Sequence, residues 1–166
     1  METLEALRGR RSIRHYQATP VEREVIEKVV DAGRLAATGR GVEPWEFLVV
    51  TDAATRGKLA GLCDYGKFIA EAPVCLVVLC RETKYYLEDG SAASQNMLVA
   101  AYALGLGTCW VAGDKKPYAN RITKMLEVPK NYKLVSLVAL GYPSPDQPPR
   151  KAKRKIEEVI HWEKFE

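Results

Sequence analysis

Helical and strand-like segments alternate along the 166 residues, and this alternation by itself predicts an α/β domain with a parallel sheet. The clearest strand, Val74-Cys75-Leu76-Val77-Val78-Leu79, is apolar at every position, the pattern of a strand buried on both faces. The clearest helix, Glu88 to Leu104, sets Ala93, Met97, Ala100, Ala101 and Leu104 on one side and has Gly105 as its stop. A chain of this length buries roughly 70% of its unfolded surface, which fits one domain with its own core.

The remaining elements follow in order. A short helix-like opening leads into Arg10-Arg11-Ser12-Ile13-Arg14. Thr19-Pro20-Val21-Glu22 reads as a helix start, with a capping threonine, proline in the first turn and glutamate three residues on. Ile26, Val29 and Val30 give that helix its core stripe, and Gly33 extends the stripe without a side chain, so a neighbour can approach closely. After the Gly39-Arg40-Gly41 loop, Trp45 to Val50 is a strand; Asp52 then caps a helix through Leu59 and Leu62. A turn at Tyr65 to Ile69 ends at Pro73. The alanines of the long helix predict close packing against another helix, from the same or a second subunit. Thr108 to Val111 is a short strand, a helix near Pro117 carries Ile122, Met125 and Leu126, and Leu134 to Leu140 is a buried strand closed by Gly141. Four prolines between Pro143 and Pro149 keep the chain extended up to Arg150-Lys151-Ala152-Lys153-Arg154-Lys155. The tail Ile156 to Trp162 is too apolar to hang free and is expected to dock on its own domain or on a partner.

The net charge of +4 is modest and much of it is local, in the clusters at Arg10–Arg14 and Arg150–Lys155. Two basic clusters at opposite ends of a balanced chain fit a discrete anionic ligand, not nucleic acid, whose binders carry a more basic domain and a reading element. Four cysteines without a C-x-x-C pair, together with two histidines, assemble no zinc site at standard spacing. The acidic opening Met1-Glu2-Thr3-Leu4-Glu5 is no secretory signal, and no apolar stretch is long enough to span a bilayer. A cytoplasmic, reduced protein is the expectation.

Arginine offers a planar fork of donors matched to phosphate, and serine adds a neutral one. If Arg10 to Arg14 is extended, Arg10, Ser12 and Arg14 share one side and Arg11 points the other way. Four further segments accompany this run: the loop Ala36-Ala37-Thr38-Gly39-Arg40-Gly41-Val42-Glu43-Pro44-Trp45, the turn Asp64-Tyr65-Gly66-Lys67-Phe68, Ser94-Gln95-Asn96 within the long helix, and Gly105-Leu106-Gly107-Thr108-Cys109-Trp110-Val111-Ala112-Gly113.

Taken in this order, from Arg10 to about Ile160, the segments resemble the flavin-dependent nitroreductase family. The resemblance implies an α+β three-layer sandwich, with a mixed, mostly antiparallel sheet flanked by helices, in place of the parallel sheet. It implies a single domain over residues 1–166, an intertwined homodimer with 143–166 as an arm reaching the partner, and FMN bound between subunits. Arg10, Arg11, Ser12 and Arg14 would then meet the phosphate and ribityl chain, completed by Lys153 or Arg154. Lys67 would lie at the pyrimidine edge, stabilising charge on the reduced ring. Ala37 and Thr38 would border the flavin, with the Thr38 hydroxyl as a donor. The backbone N–H groups of Ala112 and Gly113 would reach the ring near N5 and O4.

Some positions depart from the family pattern. Ala37-Thr38 replaces Pro-Ser, Gly41 stands where asparagine is frequent, and Glu43 where glutamine is common. The stretch Glu82 to Glu88 is short where larger members carry lids, which implies a more open pocket, with Tyr85 and Tyr86 either at its border or in the core or an interface. The activity implied is hydride transfer from NADH or NADPH through the flavin to a small acceptor such as a nitroaromatic or quinone, in ping-pong order. Two alternatives accompany it: reductive dehalogenation, and an FMN-binding redox sensor without a dedicated substrate.

Overall fold

The structure, a computed structural model, describes residues 2–148 and 152–165. Helix α1 (Thr3–Gly9) leads into an extended arm, followed by α2 (Arg23–Arg34), β1 (Trp45–Val50), α3 (Ala53–Leu62), β2 (Val74–Arg81), α4 (Tyr86–Ala103), β3 (Gly107–Ala112), α5 (Ala119–Met125) and β4 (Tyr132–Gly141). The strands form one sheet in the order β1-β2-β4-β3, with every neighbouring pair antiparallel. The parallel sheet expected from alternation is therefore corrected. Strands β2 and β3 do run the same way with α4 crossing between them, but β4 fills the gap as an antiparallel strand, making a split β-α-β unit. The parallel component is one bridge, Ser12 to Thr108, at the outer edge of β3.

Two apolar layers cover the two faces. On one, Cys75, Val77 and Leu79 of β2 pack in a cluster with Leu59 of α3 and Ile122 of α5. On the other, Val74, Leu76, Val78 and Cys80 join Ile26 and Val29 of α2 with Ala93, Met97 and Ala101 of α4. Alternate residues of β2 thus serve opposite cores, as its unbroken apolar run predicts. Gly33 lies against Met97, where a Cβ would sit 2.8 Å from Met97 Cγ; the alanine-rich helix finds its helical neighbour in α2 of the same chain.

The helix start at Thr19 is also corrected. Helix α2 begins at Arg23, with Glu22 at the cap and no side-chain cap bond. Val21 is buried instead and shares a cluster with Ile26. Those are the two positions that flank a first turn in a hydrophobic staple, so the entry to α2 is fixed by burial and not by threonine. The cap at Asp52 is as expected, its carboxylate accepting from the Thr55 N–H at 2.7 Å.

The arm Arg10–Gln17 binds both β3 and the segment after β4. The Ile13 N–H donates to the Thr108 carbonyl at 2.8 Å, Gln17 N–H to Tyr142 O at 2.9 Å, and Ser144 N–H to His15 O at 3.0 Å. Gly107 makes the first contact possible, since a Cβ there would stand 2.8–2.9 Å from three atoms of Ile13. The C-terminal stretch forms one short turn at Ile156–Glu158 and leaves Ile156, Trp162 and Phe165 exposed; the expected docking of this tail on its own domain does not occur within the described residues. Gly107→Ala is expected to cost about 1–3 kcal/mol through overpacking against Ile13. Urea unfolding measures the loss, and faster amide exchange at Ile13 locates it.

Candidate functional site

The extended arm and the C-terminal segment enclose an open cleft of about 860 Å³. Its lining includes Arg10 to Arg14 from the arm, Tyr102 from the end of α4, Gly107 and Thr108 from β3, and Ser144, Gln147 and Lys153 from the C-terminal side. One cation of the second basic cluster, Lys153, thus lines the same cleft as the first cluster. Arg154 is not among the lining residues, and both are exposed. Arg150 and Lys151 lie outside the described residues.

The side chains of the arm differ in role. Arg11 turns back on α1, and its Nη1 donates to the carbonyls of Arg8 at 2.6 Å and Arg10 at 2.7 Å, capping the helix end. Its Nε is buried and has no partner among the described residues. The guanidinium of Arg14 stands 5.7 Å over the Phe68 ring, a cation–π distance. This contact ties the Lys67–Ile69 turn to the arm. Lys67 itself is exposed and spends two N–H donors on Ala60 O at 3.1 Å and Gly61 O at 3.2 Å, at the end of α3. The orphan carbonyls of the helix terminus draw its ammonium in.

A second group of expected site residues gathers at the first turn of α4. The Asp89 carboxylate accepts from Gly39 N–H at 2.7 Å and from the Thr38 hydroxyl at 3.1 Å. Ala37 precedes this contact and is exposed. One turn away on the helix, the Tyr86 hydroxyl donates to Asp114 Oδ1 at 2.7 Å and so holds the loop that follows Ala112 and Gly113. Gly113 does not supply the free N–H expected of it: it donates to Val135 O at 3.0 Å. The Ala112 carbonyl accepts from the Tyr118 hydroxyl at 2.5 Å. Strand β3 joins the two groups, with Gly107 and Thr108 in the cleft at one end and Ala112 at the other.

Sequence reasoning missed Asp89. The available signal is an acid among alanines on the inward side of a helix, and its partners lie about 50 residues away in the chain. Among the described residues, no group of three or more His, Cys, Asp or Glu side chains can hold a metal ion, and no helix is long and apolar enough to cross a membrane.

A family model described as the nitroreductase family matches residues 7–64 and 63–142. The chain belongs to this family. It is 35% identical over 152 residues to a protein of Methanothermobacter thermautotrophicus classed provisionally as an NADH dehydrogenase/NAD(P)H nitroreductase, covering 87% of this chain and 78% of that one. It is 28% identical over 182 residues to the oxygen-insensitive NADPH nitroreductase of Salmonella typhimurium, covering 99% of this chain and 75% of that one. The FMN-dependent nitroreductase structure from Clostridium difficile superposes with a TM-score of 0.90 at 28% identity, over 98% of this chain and 99% of the other.

The Tyr86–Asp114 hydrogen bond, together with burial and the Asp114 charge, pushes the Tyr86 phenol up to about 12. An unfolded tyrosine ionises near 10, so the folded protein holds this proton where the unfolded chain releases it. Its contribution to stability is complete below pH of about 10 and falls away between about 10 and 12. Tyr86→Phe is expected to flatten the alkaline loss of stability in that window, read from urea midpoints against pH.

Proposed function

We propose that this chain is an FMN-dependent oxidoreductase that takes electrons from NADH or NADPH and delivers them to a small acceptor, a nitroaromatic or a quinone, in ping-pong order. The observation that carries the reading is the convergence of Arg10, Ser12, Arg14 and Lys153 on one cleft. A phosphate monoester carries close to two negative charges at neutral pH and calls for several charge-assisted donors. The donor set fits, and so does the buried, unpartnered Nε of Arg11, a cationic group whose hydrogen bond is still to be made. The relatives support the same reading, since the Clostridium difficile protein is FMN-dependent and the Salmonella typhimurium enzyme uses NADPH.

When bound, FMN supplies the two-electron chemistry, so no side chain need act as nucleophile or general acid. The residues of this chain bind and orient. Arg10, Ser12, Arg14 and Lys153 hold the phosphate. At the other end of β3, the small side chain of Ala112 would leave room for a flat ring. The Thr38 loop, held to the first turn of α4 by Asp89, would border the ring.

The assembly we propose is a homodimer in which the arm 143–166 of the single domain reaches the partner. Exposed Ile156, Ile160 and Trp162 on that arm, with exposed Leu4 and Leu7 on α1, support it as apolar surface in need of cover. Four free, buried cysteines support work in a reducing compartment such as the cytoplasm.

Anaerobic addition of NADH or NADPH to the FMN-loaded protein is expected to bleach the visible flavin band, and a nitroaromatic or quinone to restore it. A colourless protein that takes up no FMN overturns the proposal. Arg10→Ala and Lys153→Ala are each expected to weaken FMN binding about tenfold or more, since a charged hydrogen bond contributes about 1.5–3 kcal/mol. Quenching of free flavin fluorescence on binding measures the loss.

A further inference from the structure

We propose that the Tyr102 hydroxyl is a binding group for the ligand's phosphate, an uncharged donor at the α1 side of the cleft, and that Gly9 makes room for it. This inference rests on the FMN reading above and adds to it a residue outside the basic clusters.

Tyr102 stands in the last turn of α4 and lines the cleft together with Gly9 and Arg10. Helix α1 lies against α4, and Ala6 is its one buried residue. Ala6 and Gly9, three positions apart, share a face of α1. A Cβ on Gly9 would stand 2.1 Å from the Tyr102 hydroxyl oxygen and 2.4 Å from the ring carbon that bears it. The end of the phenol therefore lies over Gly9, in space that any other residue would fill. Gly9 is not in the left-handed region, so no turn requires glycine there. On helix propensity alone alanine would serve better. What glycine supplies at this position is the place for the hydroxyl.

That hydroxyl is uncommitted. The hydroxyls of Tyr16, Tyr86 and Tyr118 each donate to an oxygen of the protein. The Tyr102 hydroxyl has no hydrogen bond among the described residues, and although the residue is half-buried, its oxygen is not one of the buried polar atoms. A ligand that fills the cleft takes water away from this group, and leaving it unpaired then costs affinity. The cations that share the cleft cannot take its proton, since arginine and lysine carry donors only. A phosphate is the complement, a group with three acceptor oxygens. The phenol proton accordingly goes to a phosphate oxygen, which adds a hydrogen bond without adding charge.

The test titrates full-length wild type, Tyr102→Phe, Gly9→Ala and the double variant with FMN and with riboflavin, which lacks the phosphate. Tyr102→Phe is expected to lose about tenfold in FMN affinity and to keep its riboflavin affinity, because only a hydrogen bond to a charged group is removed. Gly9→Ala is expected to show a loss of the same order for FMN alone, as its methyl displaces the hydroxyl. Both substitutions remove one bond, so the double variant should bind FMN no more weakly than the weaker single variant. Wild-type FMN affinity in Tyr102→Phe overturns the inference. An equal loss for riboflavin does so too, since the phenol would then serve packing and not the phosphate. Losses that multiply in the double variant also overturn it. If Gly9→Ala does not fold, Tyr102→Phe decides alone. Wild-type protein that takes up no FMN overturns the proposed function and this inference together. Tight wild-type binding that Tyr102→Phe leaves intact overturns this inference alone.

Discussion

Residues 12 to 17 occupy a seam between the outer edge of β3 and the segment leaving β4, and the two ends of the chain are joined along it. Backbone bonds run from Ile13 to Thr108, from Gln17 to Tyr142 and from Ser144 to His15. Tyr16 locks the seam from within, its hydroxyl donating to Ile13 O at 2.6 Å, and burial holds that phenol well above its usual range. Because these are backbone contacts, they fix the path of both segments whatever side chains they bear. That path delivers Arg10, Ser12 and Arg14 to the same cleft as Lys153. Without the seam, the two basic clusters are separate stretches of surface charge, too far apart in sequence to act on one anion.

Helix α4 organises the opposite end and connects it to the cleft. Its first turn holds the Thr38 loop through Asp89 and the loop after β3 through Tyr86, and its last turn places Tyr102 in the cleft wall. At 18 residues it is about 27 Å long, so one rigid element connects these two loops to the cleft wall. Its grip on the sheet is polar as well as apolar: Ser94 and Ser136, both fully buried, share a hydrogen bond of 2.8 Å, and Ser94 is close enough to donate to the Gly90 carbonyl at 2.7 Å. Such a satisfied pair in an otherwise apolar layer fixes how the helix sits over β4.

What could be read from the sequence was local. The Asp52 cap was legible because donor and acceptor lie three residues apart, and β2 because every one of its positions is apolar. The α2 start was misread because Val21 serves the core from outside the helix, a tertiary use of a residue that sits inside a capping pattern. Strand direction was not legible at all: alternation reveals the crossover from β2 to β3 but is silent about β4 entering between them. In the site, the arginines and Ser12 were visible as a motif, whereas the choice between Lys153 and Arg154 depended on the path of the C-terminal segment. The commitments of Lys67 to α3 and of Gly113 to Val135 belong to backbone geometry that no residue pattern announces.

Riboflavin, which has the ring and ribityl chain without the phosphate, isolates what a phosphate gains from meeting these cations. Parallel titrations of the protein with FMN and with riboflavin measure it directly. At least two charge-assisted bonds of about 1.5–3 kcal/mol each predict riboflavin affinity lower by about a hundredfold or more, with a gap that narrows as salt is raised. Equal affinities for the two ligands would contradict the account.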